Sequence, residues 1–142
     1  MRRILLVRHG ETSLGSDNRT EGQQDVALSD AGQAQADALA TVLQSLSVDV
    51  IYSSDTTCAM ETAQAINRHH DRRIRYESAL REIALGKFEG LTADEMRARY
   101  PQDFSAWEMD RSKATHGGET VNQLAARVRT LLETITHADD ER

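Results

Sequence analysis

The sequence is short of the residues that lock or break a chain. It has one cysteine, Cys58, and one proline, Pro101. A lone cysteine makes neither an internal disulfide nor a cysteine-only zinc site, so a reducing, cytoplasmic setting is predicted. Aromatic residues are only 4% of the chain, which leaves Ala, Leu, Val and Ile to build the core. No apolar run nears the ~20 residues of a transmembrane helix. The opening run Ile4-Leu5-Leu6-Val7 is shorter than the ~7–15 residues of a signal-peptide core. Neither a membrane partner nor a secretory leader is therefore expected. Positive charge is also scarce. Seventeen Lys and Arg face 23 Asp and Glu, a net −6, which argues against nucleic acid as a partner. There is no internal repeat, and 142 residues fit one domain on a prior of roughly 100–200.

What is present alternates between strand and helix signals. Ile4-Leu5-Leu6-Val7 is apolar without alternation, as in a strand covered on both faces of a parallel sheet. Residues 11–27 are polar and aperiodic, and read as a loop. Ser29 is a candidate N-cap for a helix over 30–46, whose buried face is predicted at Leu39, Val42, Leu43 and Leu46. Residues 48–52 read as a second strand. Residues 56–68 read as a helix with Ala59, Thr62, Ala63 and Ile66 inward, and 74–76 as a third strand. Residues 80–91 read as a loop. Thr92 and Glu95 form a capping box for a helix to about Tyr100, and Pro101 ends it and opens another carrying Phe104 and Trp107. Thr120 and Gln123 repeat the box before an amphipathic helix bearing Val121, Leu124, Ala125, Val128, Leu131, Leu132 and Ile135. The charged tail after His137 is expected to fray. This order predicts an α/β fold with a parallel sheet, in which ligands bind at the carboxyl ends of strands.

Arg8-His9-Gly10 follows the first predicted strand. Arginine offers a donor fork matched to phosphate oxygens. A neutral imidazole nitrogen is a nucleophile near pH 7, and Gly10 allows close backbone approach. A salt-bridging arginine and a hydrogen-bonded histidine are the plain alternative. Glu82 is a general-acid candidate against the commoner reading of a solvated carboxylate. His69-His70 lie in a basic stretch that reads as solvated loop. His116 either lines a site or sits in a glycine-rich turn. Phe104, Trp107 and Cys58 read as packing residues.

Several motifs occur in order along the chain. They are Leu5-Leu6-Val7-Arg8-His9-Gly10-Glu11-Thr12, then Gly22 with Asp25-Val26-Ala27-Leu28-Ser29-Asp30-Ala31-Gly32, then Ile51-Tyr52-Ser53-Ser54-Asp55. Glu61-Thr62-Ala63, Leu80-Arg81-Glu82-Ile83, Gly86-Lys87-Phe88-Glu89-Gly90-Leu91 and Gly117-Gly118-Glu119-Thr120 follow. Together they resemble the histidine phosphatase superfamily, or phosphoglycerate mutase-like family. The resemblance implies a three-layer α/β/α fold with a mostly parallel central sheet. It implies that His9 attacks phosphorus to form a phosphohistidine, with Glu82 as proton donor. Phosphate would be held by Arg8, Arg81 and the backbone at Gly22. The implied ligands are a small phosphorylated substrate and phosphate; no metal and no cofactor are implied. Leu85 and the short stretch from Glu82 to Gly117 place the chain beside the phosphatases, similar to α-ribazole and broad-specificity phosphatases, with mutase-type phosphotransfer as the alternative.

Some positions depart from the family pattern. Gly15 stands where an asparagine is usual, with Asn18 as the candidate substitute. Glu21 brings a negative charge that would oppose phosphate unless it turns away or pairs with Arg19. Cys58 replaces a second phosphate-binding arginine, a charge that Arg81 or Lys87 would have to supply. The family also continues past the last helix into a strand with a second site histidine, which His116 and His137 do not match. Alternative readings are therefore a non-catalytic phosphate-binding relative or an inactive truncated fragment. A fragment would leave a sheet edge exposed, which favours association of two copies into a homodimer.

Overall fold

The computed structural model describes residues 3–113 and 117–137. They form two compact units. The first contains the chain up to Ser16 and Asp25–Glu77; the second contains Asp17–Gln24 and the chain from Ser78 onward.

In the first unit a helical turn α1 (Ser13–Ser16) precedes helix α2 (Asp30–Leu43), strand β1 (Ile51–Ser53), helix α3 (Thr57–Asn67) and strand β2 (Ile74–Tyr76). The two strands pair in parallel, with Ile51 opposite Ile74 and Ser53 opposite Tyr76. A parallel pair needs a crossover, and α3 supplies it, packing on both strands. The α/β class and the parallel sheet are as predicted. Ser29 caps α2, its hydroxyl accepting from Gly32 N at 3.1 Å.

Two expectations for this unit fail. The run Ile4-Leu5-Leu6-Val7 is not a strand. It has no ladder partner among the described residues, and Leu6 is 90% exposed. Apolar sequence suits a strand, but a strand exists only where neighbouring backbone accepts its hydrogen bonds. The buried face of α2 is also different. Gly32, Ala36 and Ala40, four residues apart, are buried, whereas Val42 is 71% exposed. Small side chains let α2 lie close against α3, where Ala36 joins Leu28, Cys58 and Ala65 in one core cluster. The larger Leu39 and Leu43 are left half-buried at the flank.

In the second unit, single 3-10 turns at Ser78–Leu80 and Gly86–Phe88 interrupt the predicted 80–91 loop. Helices α4 (Ala93–Arg99), α5 (Pro101–Met109) and α6 (Val121–His137) follow. Both halves of the Thr92–Glu95 capping box form. Pro101 occupies the first turn of α5, where its missing N–H costs nothing. At α6 the Thr120 hydroxyl accepts from Gln123 N while Gln123 Oε1 accepts from Thr120 N.

The core of this unit is aromatic. Phe88 is fully buried, worth ~1.5–3 kcal/mol, among Leu91, Met96 and Phe104. The Trp107 ring stands edge-on to it at 5.7 Å, so Phe104 and Trp107 are packing residues, as expected. No helix among the described residues is long and apolar enough to cross a membrane.

Candidate active site

Arg8 and His9 reach their place through backbone approach. Gly10 lies against the first turn of α2, where a Cβ would collide with the Gly32 carbonyl. Gly10 N donates to Thr62 Oγ1 at 3.2 Å, and that hydroxyl donates onward to Cys58 O at 2.8 Å. The segment is thus pinned to both helices of the first unit. Glu11 N donates to Gln35 Oε1 of α2, which fixes the next residue.

His9 Nδ1 is 2.7 Å from Gly10 O. A carbonyl only accepts, so Nδ1 carries a proton, and in the neutral ring the lone pair then lies on Nε2. That tautomer is the one in which Nε2 can act as a nucleophile. The ring is half-buried, and Arg8 beside it is exposed. Both line a cavity of about 100 Å³ with Gln35 and Leu39 of α2 and Thr62 of α3. The cavity brings one guanidinium and one imidazole beside an amide and a hydroxyl, and the guanidinium is the donor suited to an oxyanion, since the Thr62 proton is engaged by Cys58 O. Gln35 and Thr62 were not singled out as site residues in the sequence. Thr62 lies within Glu61-Thr62-Ala63, so its signal was available.

Cys58 is 6% exposed and belongs to the α2–α3 core, as expected of a packing thiol. Among the described residues, no group of three or more His, Cys, Asp or Glu side chains is arranged to hold a metal. His69 is exposed, but the basic stretch is not wholly solvated: His70 Nε2 is buried without a hydrogen-bond partner. His116 lies outside the described residues.

Glu82 and Arg81 belong to the second unit, directly after the Ser78–Leu80 turn. Glu82 is exposed, and its Oε1 accepts from Ile83 N at 2.7 Å. Its carbonyl accepts from Gln23 Nε2 at 3.1 Å and Arg127 Nη2 at 3.0 Å. Arg127 also forms a two-pronged pair with Glu119 at 2.7 and 2.9 Å. That pairing holds the Glu119 carboxyl below its ordinary value, helped by the Ala84 N–H. Neither Glu119 nor Arg127 was assigned a role in the sequence. The signal for Arg127 is a charge three residues after Leu124 and four before Leu131, on the apolar stripe of α6.

Gly22 also lies in the second unit, buried with φ +57°, and a Cβ there would overlap the Glu89 carboxylate. Glu89 Oε1 accepts from Gln23 N and Leu85 N, both at 3.0 Å, so the glycine lets the 17–24 loop close onto 85–90. Two of the charges weighed in the sequence have partners within the second unit. Arg19 pairs with Glu95, at 2.6 Å, and with the Gly90 carbonyl rather than Glu21. Lys87 is held by Asp103 at 2.5 Å and lies 4.4 Å from the Tyr100 ring centre.

The family model for the histidine phosphatase superfamily (branch 1) matches residues 4–142. The chain belongs to the histidine phosphatase superfamily. It is 36% identical over 140 residues to glucosyl-3-phosphoglycerate phosphatase of Mycobacterium tuberculosis, covering 99% of this chain. The solved mycobacterial glucosyl-3-phosphoglycerate phosphatase complexed with VO3 superposes with a TM-score of 0.85 at 36% identity, covering 94% of this chain and 64% of that one. The alpha-ribazole phosphatase of Shigella flexneri, at 24% identity, shares the fold with a TM-score of 0.87 over 94% of this chain and 67% of that one. The chain spans 63% of the length of the Mycobacterium tuberculosis relative.

Proposed function

We propose that the protein is a phosphomonoester hydrolase that acts on small phosphorylated metabolites through a phosphohistidine at His9. The observation that carries this reading is the Nδ1–Gly10 bond, which selects the tautomer whose lone pair lies on Nε2, on a ring that lines a polar cavity with Arg8. The mycobacterial relatives, named phosphatases, support it.

Nε2 attacks phosphorus as the ester P–O bond breaks. Arg8 neutralises charge on the phosphoryl oxygens, with Arg81 as a second cation and the Gly22 backbone as a further donor. Glu82 gives its proton to the departing alkoxide. It then takes one from the water that attacks the phosphohistidine, which frees phosphate and restores the Nε2 lone pair. The single buried thiol supports a reducing, cytoplasmic setting. The exposed apolar side chains of residues 4–7 support pairing of two copies.

The test is hydrolysis of an aryl phosphate in chelator by the wild-type chain and by His9→Ala. The variant is expected to lose at least about a thousandfold in kcat. Equal rates would end the proposal. A second reading, phosphate binding without turnover, draws on Cys58, which packs in the core where the family pattern has a cation. It predicts that phosphate or vanadate raises Tm while turnover stays at background.

A further inference from the structure

We propose that Arg127 of α6 is a positioning residue for Glu82, acting through the 79–84 loop; this rests on the proton-donor role proposed for Glu82. The guanidinium is 21% exposed and sits on the helix stripe that also carries Leu124, Val128 and Leu131. Helix packing alone would favour an aliphatic side chain there. Instead its donors converge on one loop. Nη1 donates to Ala79 O at 2.7 Å and Nη2 to Glu82 O at 3.0 Å, while Nε and Nη2 grip Glu119. Glu119 closes the far end of the loop. Its Oε2 accepts from Ala84 N at 3.0 Å, and its own N–H donates to Ala84 O at 2.8 Å.

The loop is therefore tied at 79, 82 and 84, and Gln23 ties Glu82 O a second time. The Glu82 carbonyl is thus held by two donors and its carboxylate accepts from Ile83 N at 2.7 Å, so the backbone that carries the side chain is fixed. A lysine could not reproduce the fork, because the contacts need planar donors spread over three acceptor groups. Proton transfer requires the acid within hydrogen-bond reach of the leaving oxygen, so losing the fork should act on proton transfer more than on other steps.

The experiment compares Arg127→Met, Arg127→Lys and Glu82→Gln on two esters. Dinitrophenyl phosphate has a leaving group that needs no proton; glycerol phosphate releases an alkoxide that does. kcat/KM reports the steps through phosphorylation of His9. Arg127→Met is expected to lose about a hundredfold on glycerol phosphate and less than about threefold on the aryl ester, as Glu82→Gln does. Arg127→Lys should fall between wild type and Arg127→Met, and the Arg127→Met/Glu82→Gln double variant should be no worse than Glu82→Gln alone.

Equal loss on both esters, with Glu82→Gln still selective, overturns the positioning role. A Glu82→Gln variant without that selectivity overturns the acid role, and this proposal with it. Amide exchange tests the clamp without turnover. Ile83 and Ala84 should exchange about tenfold or more faster in Arg127→Met, while the Gly10 amide in the first unit keeps its protection. Unchanged exchange at Ile83 overturns the proposal. If Arg127→Met does not fold, Arg127→Lys carries both measurements.

Discussion

The hydroxyl of Thr62 has two tasks. It receives the Gly10 N–H and passes its own proton to Cys58 O, all within a buried corner of the first unit. Valine has the same shape without the hydroxyl, so Thr62→Val would strand a buried N–H. A loss of about 1–3 kcal/mol is expected from urea unfolding, together with weaker vanadate binding. Stability and binding both unchanged would mean that Gly10 is held by other contacts. At this scale the sequence was informative where chemistry is local. Arg8-His9-Gly10 was legible as a candidate nucleophile beside a donor fork, because residue type and adjacency suffice for that reading. The partners were less legible. Thr62 lies 52 positions from Gly10, and nothing in a linear pattern says which hydroxyl will fold back onto which amide. Glu82 was legible as a carboxylate, but the Arg127 and Glu119 that hold its loop were not.

At the scale of elements, helix starts were read well, because a cap is a matter of three or four consecutive residues. Ser29, the Thr92–Glu95 box and the Thr120–Gln123 box all form. Which face a helix buries depends on its neighbour instead. Large residues at spacings of three and four suggested one side of α2, yet α3 selects the side lined by Gly32, Ala36 and Ala40. The same limit explains the first predicted strand, which had the composition of a strand but no partner for its backbone. Close helix contact gives a prediction. Ala36→Leu would force α2 away from Cys58 and Ala65, costing about 1–3 kcal/mol and disturbing the cavity wall at Leu39. Thermal unfolding checks the first effect and vanadate titration the second. A neutral outcome would mean that α2 and α3 are not tightly packed.

At the scale of the molecule, acid should act on the second unit through its paired carboxylates. Arg127 holds the Glu119 carboxyl below its ordinary 4.5, and the Arg19 side chain does the same for Glu95. A group whose folded pKa is depressed contributes stability that is complete above its unfolded pKa. That stability is lost as pH falls through the folded value. Unfolding midpoints should therefore hold steady above pH 4.5 and drop below it, with Glu119→Gln showing a smaller drop. An identical acid profile in that variant would remove Glu119 from the account. The chain's one tryptophan makes this easy to follow. Trp107 sits against Phe88 and Phe104, with the Arg111 guanidinium 4.5 Å from its ring centre, entirely within the second unit. Light absorbed by indole alone will therefore come back coloured by the state of that unit, and a far-ultraviolet signal that melts at another temperature would reveal the first unit opening by itself.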